Sequence, residues 1–135
     1  MNILDEIVAN TKAKVSISKK KISLDDMIST VNSSEFVKSK FKANLKDKDQ
    51  AIIAEIKKAS PSAGVISEDF DPVTKAKEYE AFGASALSIL TEEDYFLGSI
   101  QCLKDVKEIC NLPILRKDFI VDVYQIYESK LIGSD

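Results

Sequence analysis

Two different periods of apolar and polar residues divide the chain near residue 49. Before it, apolar residues recur at the three- and four-residue spacing of amphipathic helices, as in ILDEIVANTKAKV. Three helices are predicted there, over residues 3–15, 23–31 and 33–41. Serines are the predicted N-caps of the second and third helices. The charged stretch 45–50 is interpreted as a hinge, so residues 1–48 are predicted to form a helical N-terminal extension.

From there on, short apolar runs alternate with helical segments. Three strands are predicted, over AIIAEI (51–56), ASALSIL (84–90) and ILRKDFI (114–120). A helix is predicted after each strand, over residues 72–82, 100–110 and 121–133. Strand–helix units with short links are typical of a parallel sheet. Residues 49–135 are therefore predicted to form an α/β domain of three βα units, with a fourth strand expected to follow.

The end of the first predicted strand carries two opposite charges, Glu55 and Lys57. Because side chains alternate between the two faces of a strand, both charges share a face with Ile53, while the other face is apolar. The carboxyl ends of parallel strands are where α/β sheets and barrels place their sites. The two side chains could converge on a ligand there. The alternative is that both only flank the strand and lie in solvent.

The third predicted strand repeats this arrangement with Lys117, which shares a face with Leu115 and Phe119 at the same end of the sheet. A lysine inside a sheet is costly unless an anion partners it. In partly apolar surroundings a lysine can have a lowered pKa and act as a general acid. This favours a role in a site for Lys117, whereas Arg116 and Asp118, on the other face or in the loop, are interpreted as solvent-exposed.

The amino-acid composition limits the kinds of function and catalytic residues that the chain can have. The 135 residues are 44% hydrophobic with a net charge of −3, as in an ordinary globular domain, and no concentrated basic surface suggests nucleic-acid binding. The absence of histidine excludes Ser–His and Cys–His nucleophiles and the usual zinc ligand sets. Acid–base chemistry is left to Lys, Asp, Glu, Tyr or Cys. Two cysteines and no signal or membrane-length apolar run lead us to expect a cytoplasmic location.

Three motifs now carry a resemblance to a known family. AEIKKASPSAG, SILTEEDYFLGS and LPILRKDFIVDVYQIYES, in this order and spacing, resemble indole-3-glycerol phosphate synthase, the tryptophan-pathway lyase. The resemblance covers about residues 50–133 and implies a (β/α)8 TIM barrel preceded by N-terminal helices. It implies a carboxy-lyase that converts 1-(2-carboxyphenylamino)-1-deoxyribulose 5-phosphate to indole-3-glycerol phosphate, carbon dioxide and water, with no cofactor and no metal.

The resemblance also implies a role for individual residues. Lys117 matches the general acid that protonates the substrate carbonyl oxygen during ring closure. Lys57 matches a lysine that contacts the anionic groups of the substrate and serves as an acid in dehydration, and Glu55 matches the glutamate that partners it and helps to remove the hydroxyl. The residues that match substrate-binding positions are Ser60 near the phosphate, and Leu90, Phe96 and Phe119 around the aromatic ring.

The family's chain continues through five more strands, which are expected to supply another catalytic glutamate and most of the phosphate site. The 135-residue chain is therefore expected to be inactive alone. A second hypothesis is a non-catalytic half-barrel module that associates with a complementary chain or with a second copy of itself through exposed strand edges. A third is a different barrel enzyme that handles sugar phosphates, against which Phe96 and Phe119 argue. Neither a nucleic acid nor a membrane is an expected partner.

Overall fold

Six helices and five strands follow one another in the computed structural model, which describes residues 1–135. The helices are α1 (Ile3–Lys21), α2 (Leu24–Ser33), α3 (Phe41–Lys46), α4 (Pro72–Ala81), α5 (Ile100–Ile109) and α6 (Val123–Leu131). The strands are β1 (Ile53–Ile56), β2 (Ala59–Ser60), β3 (Gly64–Val65), β4 (Ala86–Leu90) and β5 (Ile114–Lys117). Two compact units result, one of residues 1–37 and 119–131, the other of residues 38–118 and 132–135.

The second unit is built on a parallel sheet with the strand order β1–β4–β5. Glu55 lies opposite Ser88 in the first strand pair, and Leu90 lies opposite Lys117 in the second. Between strands the chain crosses over through helices whose N-termini are capped by side chains, as the oxygen atoms of Asp71 and Ser99 accept backbone N–H groups. The predicted α/β class with parallel βα units is confirmed.

One face of this sheet packs against α4 and α5 to form the core of the unit. Strand residues that alternate along each strand supply it, as a period of two requires. The buried strand residues are Ala54, Ile56, Leu87, Ile89 and Ile114, and Leu103 and Val106 of α5 pack on them. The opposite face of the sheet is therefore free to carry polar groups, and Glu55 and Lys117 lie on it.

The first unit packs α6 against α1 and α2. Its buried core contains Val15, Met27 and Tyr124. The hydroxyl of Tyr124 donates to the carbonyl oxygens of Ser18 and Ile22 at 3.3 and 3.0 Å, where helix α1 ends. The carbonyl of Ser18 also accepts the N–H of the C-cap residue Ile22 at 2.9 Å, whereas the carbonyl of Ile22 lies beyond the helix and gains a partner from Tyr124. No helix of the chain has both the length and the apolar character that a bilayer crossing requires.

The helix predicted over residues 33–41 is wrong, because residues 34–40 are not helical and α3 occupies part of the stretch interpreted as a hinge. Ser33 and Ser34, the predicted N-caps, lie at the end of α2 and do not start a new helix. The hydroxyl groups of Ser33 and Ser34 both donate to the carbonyl oxygen of Thr30, a bonding pattern that competes with helix continuation. The short antiparallel hairpin of β2 and β3 was not predicted. The division of the chain after residue 48 stays a prediction.

Candidate active site

The carboxylate of Glu55 lies between two lysines at the carboxyl end of the parallel sheet. The Nζ atom of Lys117 donates to its Oε2 atom at 2.7 Å, and the Nζ atom of Lys57 lies 3.5 Å from its Oε1 atom. The two contacts come from different strands, since Lys117 ends β5 and Lys57 follows β1. The sequence predicted that these three side chains would meet, and the structure brings them together. Two lysines around one carboxylate leave a formal charge of +1, which suits an anionic ligand.

Burial and charge act in opposite directions on Glu55. The partial loss of water is the largest single effect and acts to raise the pKa of this carboxyl group. The hydrogen bond and charge of Lys117, the charge of Lys57 and a hydrogen bond from Ser88 together outweigh it, so the pKa of Glu55 is lowered below its ordinary value. The carboxylate is therefore ionised at neutral pH and is available as a hydrogen-bond acceptor.

Ser88 is a member of this cluster that the sequence analysis missed. Its hydroxyl donates to Oε2 of Glu55 at 3.3 Å, and the residue is buried. Leu90, two residues further along β4, lies on the same face and opposite Lys117, and its role as a wall for the substrate stays a prediction. The signal for Ser88 was its place in ASALSIL, since a hydroxyl on the inner face of a buried strand needs a polar partner.

The other predicted substrate-binding residues lie outside the three-stranded sheet. Ser60 ends β2 in the hairpin after β1, and its hydroxyl accepts the N–H of Ala63 at 3.1 Å. Phe96 is half-buried in the loop between β4 and α5, and its N–H donates to the carboxylate of Glu92 at 2.9 Å. Phe119 belongs to the first unit, where its carbonyl accepts a hydrogen bond from Gln125 at 2.9 Å. The binding roles of these three residues stay predictions.

The interpretation of Arg116 and Asp118 as solvent-exposed is wrong. Their side chains are only 5% and 9% exposed and form an ion pair at 3.4 Å. Thr91 joins them, since its hydroxyl donates to Asp118 at 2.6 Å and accepts from Nε of Arg116 at 3.0 Å. Arg116 lies opposite Ile89, on the face of the sheet that the helices cover. A buried charge is tolerated there because each polar group has partners.

A cavity of about 470 Å³ opens beside the cluster. Glu55 and Lys57 form one wall, helix α4 forms another with Lys75 and Tyr79, and the segment before α4 closes it with Phe70. This volume falls within the range of small-molecule sites. Half of the lining residues are charged, namely Glu55, Lys57, Asp69, Asp71, Lys75 and Glu78. No group of three or more His, Cys, Asp or Glu side chains is placed to hold a metal ion.

Comparison with known proteins assigns the chain to a family. The family described as indole-3-glycerol phosphate synthase matches residues 4–135. Relatives with that name include proteins of Clostridium acetobutylicum, Ruminiclostridium cellulolyticum and Campylobacter fetus, at 55%, 52% and 51% identity. Each comparison covers 98% of this chain and 51–52% of the relative, so the chain spans about half the length of these relatives. Since the match extends over nearly the whole chain, the chain belongs to the indole-3-glycerol phosphate synthase family.

Proposed function

We propose that this chain contributes Glu55, Lys57 and Lys117 to the active site of an indole-3-glycerol phosphate synthase. The reaction is ring closure of 1-(2-carboxyphenylamino)-1-deoxyribulose 5-phosphate with loss of carbon dioxide and water. The observation that carries the proposal is the carboxylate of Glu55 held between Lys117 at 2.7 Å and Lys57 at 3.5 Å. The substrate is a phosphorylated carboxylate, and such an anion favours a site with more cationic than anionic side chains.

Lys117 is the proposed general acid. Ring closure turns the substrate carbonyl into a hydroxyl, so a proton donor must stand beside the carbonyl oxygen. Lys117 is suited to this step because its side chain is 53% exposed and can reach a ligand, while Glu55 fixes the direction of its ammonium group. The carboxylate of Glu55 holds this ammonium group in place by the hydrogen bond at 2.7 Å.

Lys57 and Glu55 are the proposed pair for the later loss of water. The hydroxyl formed by ring closure leaves as water once it is protonated, and a neighbouring carboxylate stabilises the positive charge that develops on the ring system. The side chain of Lys57 is 33% exposed, so it can contact an anionic group of the substrate as well. Ser88 supports the arrangement by donating to the same oxygen of Glu55 as Lys117 does.

Indole fluorescence gives a direct test of this function. The chain would be assayed alone and after mixing with the C-terminal part of the Clostridium acetobutylicum relative, the part beyond the matched region. We expect no product from the chain alone and product from the mixture. Lys117→Met should then lower kcat by about 10²–10⁴-fold, the usual contribution of a general acid. Lys104→Met removes an exposed lysine of α5 as the matched control and should leave kcat unchanged. A stable mixture that makes no product would contradict the proposed function.

The exposed edges of the sheet support a second candidate function, in which the chain associates with another chain without catalysing a reaction. β1 and β5 each pair on one side only, and Ile52, Ile53 and Leu115 are exposed near them at 62%, 45% and 38%. Unpaired strand edges with apolar side chains promote pairing with another chain. Sedimentation velocity would distinguish the partners: a complex that forms with the complementary part but not with a second copy supports the enzyme, and a homodimer without activity supports the module.

The two cysteines are consistent with the proposed cytoplasmic location. Cys102 and Cys110 are both free thiols, and Cys110 is buried at the end of α5. Free thiols persist in reducing compartments.

A further inference from the structure

The loop between β4 and α5 is organised around one buried carboxylate. Glu92 is 4% exposed, and its side chain accepts hydrogen bonds from three successive backbone N–H groups. Oε1 accepts from Asp94 at 3.0 Å, and Oε2 accepts from Tyr95 at 2.7 Å and from Phe96 at 2.9 Å. Charge-assisted bonds of this kind are about twice as strong as neutral ones. They also compensate for the cost of removing the carboxylate from water.

The far end of the same loop is held just as closely. The N–H of Gly98 donates to the carbonyl oxygen of Glu92 at 2.8 Å, which closes the segment on itself. A Cβ atom at Gly98 would lie 2.1 Å from the carbonyl oxygen of Leu90, so the backbone packs directly on the carboxyl end of β4. Leu97, between them, has a φ of 54°, in the left-handed region. Phe96 is thus fixed between two anchored points.

We propose that Glu92 is a positioning residue that sets the place of Phe96 as a wall for the aromatic ring of the substrate. The proposal rests on the proposed function and on the predicted contact of Phe96 with that ring. A loop that is ordered before the substrate arrives saves the entropy of ordering on binding, so the carboxylate contributes to affinity for the ring. Its removal leaves three backbone N–H groups without their acceptor, and the loop then samples other conformations.

Steady-state kinetics of the assembled enzyme separates this role from general support of the fold. Glu92→Ala should raise KM by about tenfold or more, with kcat changed by less than about threefold, because binding of the ring is lost equally in the ground state and the transition state. Glu92→Asp keeps a carboxylate near the same N–H groups and should recover most of the affinity. Glu93→Gln, at the exposed neighbouring position, is the matched control and should leave KM unchanged. A KM for Glu92→Ala within about twofold of the unmodified protein would overturn the proposal.

Hydrogen exchange on the chain alone tests the positioning itself, whatever the assembled enzyme does. Glu92→Ala should speed exchange of the Phe96 amide by about tenfold, the effect expected from losing one such bond, while amides of the core strands keep their rates. Unchanged protection of Phe96 would overturn the positioning role even in an active enzyme. If the unmodified chains make no product when mixed, but Glu92→Ala still speeds exchange at Phe96, the proposed function is contradicted. The role of Glu92 in positioning the loop would then still hold.

Discussion

Gly98→Ala is expected to destabilise the folded chain because the substitution creates a steric clash with the backbone. A Cβ atom at this position would lie 2.1 Å from the carbonyl oxygen and 2.6 Å from the carbonyl carbon of Leu90. Real Cβ atoms essentially never approach other atoms closer than 3.0 Å, so the loop and β4 would have to separate by about 0.9 Å or more. The obstacle is backbone of a buried strand, which cannot rotate aside as a flexible side chain would.

The expected cost follows from that geometry. Inserting a methyl group into a well-packed site costs about 1–3 kcal/mol, and a shift away from β4 also strains the bond from the N–H of Gly98 to Glu92 at 2.8 Å. We therefore expect Gly98→Ala to lower the free energy of unfolding by about 3 kcal/mol, at the upper end of that range. The same shift would displace Phe96, so affinity for the substrate ring should fall as well.

Urea unfolding followed by circular dichroism measures the first effect, with Gly83→Ala as the matched control. Gly83 has a φ of +88°, and no atom beyond the neighbouring residues of the chain lies within 4 Å of the position that a Cβ atom would take, so alanine there meets backbone strain but no clash. That strain costs about 1–2 kcal/mol. If Gly98→Ala lowers the free energy of unfolding by no more than Gly83→Ala does, the argument from steric contact is refuted.

Three further predictions concern the core, a thiol and the ion pair of the site. Ile89→Ala should lower the free energy of unfolding by about 2–5 kcal/mol, because the side chain is 1% exposed in the core. Ile126→Ala, at a 60% exposed position, should change it by less than about 0.5 kcal/mol, and equal losses in urea would contradict this contrast. Cys110 should react with iodoacetamide at neutral pH only after urea is added, since burial raises the pKa of its thiol, and rapid labelling of the folded chain would count against its burial. The lowered pKa of Glu55 stabilises the folded state above the ordinary value of 4.5, and this stabilisation is lost as the pH falls through the lower folded pKa. Lys117→Met should raise the pKa of Glu55, as followed by carbon-13 NMR of its carboxyl group, and an unchanged titration would show that the ion pair has no effect.

The alternation of apolar residues was enough to predict the sheet and the meeting of its charged side chains. In AIIAEI a period of two assigns Ala54 and Ile56 to the core, and both are buried. The same period puts Glu55 on the opposite face. Parallel pairing in chain order then brings it beside Lys117, without any information beyond the pattern and the order of elements. The family match over residues 4–135 agrees with βα units of a (β/α)8 barrel.

The contacts that sequence patterns left out are those in which a polar side chain turns into the protein to meet a backbone group or a distant partner. TEEDYFLG contains three successive acidic residues, and no period distinguishes Glu92, which is buried, from Glu93, which is exposed. The difference arises from the path of the loop, whose N–H groups converge on one carboxylate. Ser33 and Ser34 show the same effect, since hydroxyls that can start a helix also end one.

Arg116 shows how such a hidden contact bears on the site. Charged residues are rarely buried unless paired, so its position in ILRKDFI predicted exposure. Its actual partners are Asp118 and Thr91, the latter 25 residues away in the chain. Adjacent side chains of a strand point to opposite faces. Because Arg116 is anchored on the face that the helices cover, the next residue, Lys117, must lie on the face of Glu55. The ion pair of Arg116 with Asp118 therefore helps to set the direction of the proposed acid, although it lies on the opposite face of the sheet.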